Sequence, residues 1–160
     1  MAALHAMIAS SLEHLRPWMP WVEDEPRSFE ERATKVAEWV RRWEAAEGFM
    51  FAITDGGDLL LGTCGLHRQQ SAESWEIGYW VRAGRTGEGI ATRATRALVE
   101  AAFSLDSISS VEIHHDAANI ASAGVPMKAG FARAAERHDD PVAPGEIGID
   151  VTWRLDRPAP

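Results

Sequence analysis

The sequence predicts a mixed α/β layer architecture, and three observations predict it. Apolar residues recur at three- and four-residue spacing early in the chain, as Phe29, Ala33, Val36, Trp39, Val40 and Trp43. Short strand-like runs separated by turn residues follow, from Phe49 to Arg82. A glycine-rich junction, Gly84 to Thr92, then joins a strand to a helix, and strands and helices alternate beyond it. The resulting order is α-α-β-β-β-α-β-α-β-β, expected as one domain over residues 1–160.

Each element has its own signal. Residues 2–15 are rich in Ala, Leu and Met and predict a helix, which Pro17 and Pro20 interrupt. Ser28 with Glu31 three residues on forms a capping box, opening a long amphipathic helix that ends near Gly48, its tryptophans expected in the core. Phe49 to Thr54 and Leu59 to Gln69 predict two strands joined by the Asp55-Gly56-Gly57-Asp58 hairpin turn. A polar turn over Ser71 to Ser74 leads into a strand from Trp75 to Arg82. A helix from Ile90 to about Ser104 and a strand from Ser110 to His115 follow. Asn119 suits the N-cap of a further helix. Phe131 to Arg137 and Ile147 to Leu155 complete the strands.

Composition narrows the function classes. Charged residues make up 25% of the 160 residues and hydrophobic residues 46%, as in ordinary globular proteins. A net charge of −8 argues against nucleic-acid binding. No apolar run approaches the roughly 20 residues of a membrane span, and neither a membrane partner nor a secretory signal is expected. The single cysteine, Cys64, allows no internal disulfide, fits a reducing cytoplasm and is expected as a buried thiol. The acidic cluster Glu23, Asp24, Glu25, Glu30 and Glu31 is expected on a solvated surface. His114 and His115 are adjacent on a strand and point to opposite faces, so no metal site is expected; His67 and His138 stand isolated.

The glycine junction carries the first chemistry. Gly84, Gly87 and Gly89 let the backbone turn sharply and leave the first-turn N–H groups of the next helix free, at the positive end of its dipole. That is an anion site, most naturally for phosphate. The sign of charge reverses locally, with Arg82, Arg85, Arg93 and Arg96 against Glu88. A Walker loop is excluded because no Lys-Ser or Lys-Thr pair follows, and the spacing of a dinucleotide fingerprint is not met.

Two motifs then carry a family resemblance. Thr86-Gly87-Glu88-Gly89-Ile90-Ala91 resembles the Q/R-x-x-G-x-G/A signature of the GNAT superfamily of acyl-CoA-dependent N-acyltransferases, with Thr86 in place of the usual Gln or Arg and Arg85 one residue earlier. Asn119 to Phe131 resembles the N-x-x-S-x-R-V-x-E-K-x-G-F segment of the ribosomal-protein-alanine acetyltransferase branch, with Gly124 in place of Arg and Pro126 inside the helix. The run Glu76-Ile77-Gly78-Tyr79-Trp80 is similar to that branch as well. The resemblance spans roughly residues 10–155. It implies a central mixed, mostly antiparallel sheet, splayed at the acyl-CoA site, with helices on both faces. The family's first strand has no counterpart, so either the start is truncated or another segment or subunit covers the sheet edge; a homodimer is expected.

The resemblance implies acetyl-CoA, or another short acyl-CoA, as co-substrate and a primary amine as acceptor, either a protein N-terminus or a small molecule. Its CoA contacts fall on Tyr79, Trp80, Val81, Arg85, Gly87, Glu88, Gly89, Ile90, Ala91, Thr92 and Asn119. Ser122 matches the serine that protonates the CoA sulfur, or serves only as a polar residue of the first helical turn. Glu76 is a candidate general base, directly or through water; Asp139 and Asp140 are alternatives, as is a water chain with no dedicated base. Trp18, Trp21 and Trp80 are candidates for the acceptor pocket. The other functions open to the chain are a CoA-binding module without turnover and an antibiotic-modifying acetyltransferase.

Overall fold

The computed structural model describes residues 1–69 and 73–158, so Ser71 and Ala72 of the predicted Ser71–Ser74 turn lie outside the described residues. The elements are α1 (Ala2–Ala9), α2 (Leu12–Leu15), a 3-10 turn (Pro20–Asp24), α3 (Phe29–Glu44), β1 (Gly48–Thr54), β2 (Leu60–Arg68), β3 (Ser74–Val81), α4 (Ile90–Phe103), β4 (Ser110–Asp116), α5 (Ile120–Ala129), β5 (Ala132–His138) and β6 (Ile149–Asp156). From α3 onward their order is the expected one.

Six strands form one sheet in the order β1-β2-β3-β4-β6-β5. Every pairing is antiparallel except β3 with β4. That parallel ladder holds only at Ser74↔Ser110, Trp75↔Val111 and Glu76↔Glu112. Beyond it β3 stays with β2 as far as Val81, while β4 stays with β6 as far as Asp116. The sheet therefore opens at its middle, as the resemblance implies.

Strand alternation sorts the two faces. Trp75, Ile77, Val111, Ile113, Val151 and Trp153 join Leu98 and Ala102 of α4 in the hydrophobic core. Cys64 is in the same cluster, and burial pushes its thiol up to about 11, which leaves it unreactive. The opposite face carries His67, Glu76, Glu112, His114 and Asp150, a far more polar set.

Three expectations are corrected. Residues 2–15 are two short helices, because Ser11 interrupts the run and its hydroxyl turns back to the Met7 carbonyl at 2.8 Å. The capping box of α3 forms as read, but its apolar stripe is not core: Phe29, Val40 and Trp43 are 51%, 52% and 44% exposed, and the one buried residue of the helix is Arg32. α3 also ends short of Gly48, which begins β1; Ala46, with φ of 53°, makes the turn between them. Pro126 lies inside α5, where the sequence places it, and the helix runs ten residues before stopping at Gly130 in the left-handed conformation.

Candidate active site

The glycine junction is built as a cradle. Gly84, Gly87 and Gly89 have φ of 79°, 80° and 72°, a region costly for residues with a side chain. Gly89 is the N-cap of α4 and has no side chain with which to cap it. The first helical bond is Arg93 N–H to Gly89 O at 3.0 Å, so the N–H groups of Ile90, Ala91 and Thr92 precede the ladder. Arg85 is tied by a two-point pair to Glu88, at 2.7 and 2.9 Å, and Arg93 donates to the Glu88 carbonyl. These arginines brace the loop as well as charging it.

The cradle opens into a groove of about 220 Å³. Tyr79, Trp80 and Val81 line it from β3, Thr86, Gly87 and Gly89 to Thr92 from the loop and the start of α4, and Asn119, Ser122 and Lys128 from α5 and its cap, with Trp18 and Met19 also on its wall. Every residue expected at the CoA site lines this groove except Glu88, whose carboxylate is engaged by Arg85.

A second cavity of about 640 Å³ lies on the polar face of the sheet. Glu76, His67 and Gly78 are on its strand side, and Trp18, Trp21, Trp39 and Trp80 supply aromatic surface. Trp21 and Trp80 touch, with ring centroids 6.0 Å apart. The two cavities share Trp18, Met19, Tyr79, Trp80, Asn119 and Ser122. They meet where β3 and β4 part.

At that junction Asn119 caps α5, its Oδ1 accepting from Ser122 N–H at 3.1 Å. The Tyr79 hydroxyl spans the gap and lies 3.1 Å from Ser122 Oγ and 3.2 Å from the Ser122 carbonyl. Burial pushes the Tyr79 phenol up to about 12, although its bond to Ser122 pulls the other way. It is a neutral proton donor at physiological pH.

The remaining expected residues divide. Glu76 lines the larger cavity and its Oε2 accepts from Gln69 Nε2 at 2.5 Å. Asp139 and Asp140 line neither cavity; they are exposed on the loop between β5 and β6, and Asp139 Oδ1 accepts from Asp140 N–H. Among the described residues no group of three or more His, Cys, Asp or Glu could hold a metal ion.

Sequence reasoning missed four features of the cavity wall. Glu25 is not a surface carboxylate: its side chain is 2% exposed and pairs with Arg32 at 2.7 Å. His114 sits between Asp150 at 3.3 Å and Glu112 at 3.4 Å. Asp116 binds the β5–β6 loop, its Oδ2 accepting from the N–H groups of Ile147, Gly148 and Ile149. His67 lies beside Glu76 across the β2–β3 ladder. Only the last had a local signal, since His67 and Glu76 fall on antiparallel strands whose hairpin register is countable.

The acetyltransferase (GNAT) domain family matches residues 1–132 of the chain. The chain belongs to that family. This acetyltransferase is 28% identical over 137 residues to "Putative ribosomal N-acetyltransferase YdaF" of Bacillus subtilis (strain 168), covering 85% of this chain and 74% of that protein. A crystal structure of a "Probable acetyltransferase" is 29% identical, covers 96% of this chain and 86% of its own, and superposes with a TM-score of 0.84. The Microcin C7 self immunity acetyltransferase MccE, in complex with acetyl-CoA and AMP, shares the fold, with a TM-score of 0.88 at 15% identity over 98% of this chain and 86% of its own. No described helix is long and apolar enough to cross a membrane.

Proposed function

We propose that this acetyltransferase moves an acetyl group from acetyl-CoA to a primary amine that enters through the larger cavity. The observation that carries the proposal is the meeting of the two cavities at Tyr79, Trp80 and Ser122, where the sheet opens. The groove supplies what a pyrophosphate and a thioester arm need: free N–H groups at a helix N-terminus and an unpaired strand end. Reactants held in separate cavities that touch at one point are already oriented for attack.

The residue roles follow from that arrangement. The N–H groups of the loop from Gly87 to Thr92 hold the donor's phosphates, and the β3 backbone from Tyr79 to Val81 holds its arm and acyl oxygen. Glu76 serves the removal of the ammonium proton. The amine nitrogen then bonds to the thioester carbon and the carbon–sulfur bond breaks. Ser122 gives its hydroxyl proton to the departing sulfur. Tyr79, 3.1 Å away, returns a proton to Ser122, and the second proton lost by the nitrogen restores Tyr79 through solvent.

For the acceptor we favour a peptide N-terminal amine, on the strength of the ribosomal relative. A small-molecule acceptor is the second reading; four tryptophans in a cavity of about 640 Å³, and the AMP held by the microcin immunity enzyme, favour it. We also propose a homodimer, supported by the position of β1 at the edge of the described sheet and the exposed Trp43 packed against its Phe49 and Phe51, and a cytoplasmic location, where ribosomes and acetyl-CoA are found.

Titration with acetyl-CoA, followed by a free-thiol assay against a panel of peptides and small amines, tests the proposal. Binding with acceptor-dependent thiol release is expected. Tight binding without release for any acceptor would make the chain a CoA-binding module instead.

A further inference from the structure

His67 had no role in the sequence, yet its placement is specific. It sits on β2 opposite Glu76 of β3, in a register pair whose side chains share the cavity face of the sheet. Cross-strand partners of this kind hold their Cβ atoms about 5 Å apart. The imidazole leans along the ladder over two residues that have no side chains. Its Nε2 lies 3.3 Å from where a Cβ on Gly65 would stand and 3.4 Å from that of Gly78. Gly65 and Gly78 are themselves a register pair, one step nearer the end of β3 where Tyr79 and Trp80 meet the acyl site. Gly78 therefore leaves room for the ring to lie toward the acyl-site end of β3, while the space over Gly65 is shared with Met50, whose Sδ stands 2.6 Å from where that Cβ would be.

We propose that His67 is the group that takes the proton from the acceptor ammonium, with Glu76 as the carboxylate that stabilises the imidazolium. The proposal rests on the acyl-transfer function argued above and names the immediate proton acceptor within it. One proton passes from the ammonium nitrogen to His67, leaving a neutral amine to attack the thioester carbon; the imidazolium then releases that proton to solvent.

The surroundings suit the task. Burial lowers the His67 pKa below 6.5, Arg42 lowers it further, and Glu76 alone pulls it up, so the ring is neutral at physiological pH and gains a favourable partner once charged. Arg42 faces it from α3, where Lys35 and Arg32 also line the cavity; His114 and Asp150 line it from β4 and β6. An imidazole is closer in basicity to an amine than an ordinary carboxylate is, which makes it the better-matched proton acceptor. Glu76 is in turn held by Gln69, so an anchored carboxylate stands across the ladder from the ring and acts on it through its charge.

The test compares wild type, His67→Ala and Glu76→Gln with acetyl-CoA and a panel of N-terminal-amine peptides and small primary amines, read at saturating substrates. His67→Ala is expected to lower kcat by about 10²- to 10⁴-fold while leaving the acetyl-CoA Kd unchanged, and added imidazole is expected to recover about ten-fold or more of the loss. The wild-type kcat should fall on acidification with a midpoint below 6.5; Glu76→Gln should move that midpoint lower still. Retention of kcat within about three-fold in His67→Ala, or a loss that imidazole does not restore, overturns the proposal. A wild type that acetylates none of the acceptors overturns the acyl-transfer function itself, and this inference with it.

Discussion

The carboxylate of Asp116 accepts a hydrogen bond from the backbone N–H of Gly148 at 2.9 Å, fastening the end of β4 to the loop between β5 and β6. The same oxygen takes the neighbouring N–H groups of Ile147 and Ile149, and its partner oxygen takes that of Ala118. On its other side the loop donates from Gly145 N–H to the Pro17 carbonyl at 2.9 Å. Val142 and Glu146, which line the larger cavity, lie between these two anchors, and the Glu146 carboxylate itself accepts from the N–H groups of Val142 and Ala143.

Replacing Asp116 by Ala is therefore expected to free the loop and raise the acceptor KM, with the acetyl-CoA Kd unchanged. Hydrogen bonds to a charged group contribute about 1.5–3 kcal/mol each, and solvent replaces part of that at this partly exposed carboxylate, so loss of the four lowers the unfolding free energy by at least about 2–3 kcal/mol. Desolvation pushes the Asp116 pKa up, but the four N–H bonds outweigh it and the net shift is downward. A group lowered on folding stabilises above its unfolded pKa of about 3.9 and loses that contribution as pH falls through the folded value. In the Ala variant, urea denaturation should lose that pH dependence, which lies below about pH 4.

Gly89 sits at the cradle with φ of 72°. A Cβ there stands 3.4 Å from Arg93 Nη1, an ordinary contact with a flexible side chain, so the cost of Gly89→Ala is conformational. About 1–2 kcal/mol is expected, which converts to a five- to thirty-fold weaker acetyl-CoA Kd if the loop relaxes to escape it. Calorimetric titration measures this; an unchanged Kd would remove the loop from the donor site.

Tyr79 and Ser122 form one proton path in the proposed chemistry. Ser122→Ala and Tyr79→Phe should each lower kcat, by about ten-fold or more, with little effect on acetyl-CoA binding. The double variant should be no slower than Ser122→Ala alone, because the two act as a unit. Full additivity of the two losses would separate them.

Arg32 and Glu25 pair with side chains 5% and 2% exposed, inside the cavity wall. Losing either partner strands a buried charge, so Arg32→Met or Glu25→Ala should cost about 3–5 kcal/mol in urea denaturation. Changing both to apolar residues should cost less than either single change.

Much of this protein was legible along the chain because the signals were local. The capping box at Ser28 and Glu31, the Asp55–Asp58 turn, the glycine junction and the Asn119 cap each depend on residues within a few positions, and each stands where the spacing put it. The loop side of the groove proposed for the donor was legible for the same reason: a strand end, a loop and a helix start are contiguous in sequence. The acceptor side was not. Glu25 reads as one of five clustered acids until α3 folds back and buries it against Arg32, and α3 reads as a core helix until its stripe is found half outside. Asp139 and Asp140 lie on the loop that borders the cavity yet line no part of it, because the loop's direction is set by Asp116, thirty residues away. His67 and Glu76 become neighbours only when β2 and β3 pair, and the ring leans toward the acyl-site end of β3 over Gly78, which has no side chain to block it. Short-range hydrogen bonding and backbone conformation determined the glycine loop from the sequence alone; the larger cavity, lined from nine separated elements, was decided by how the sheet opens and what packs across it.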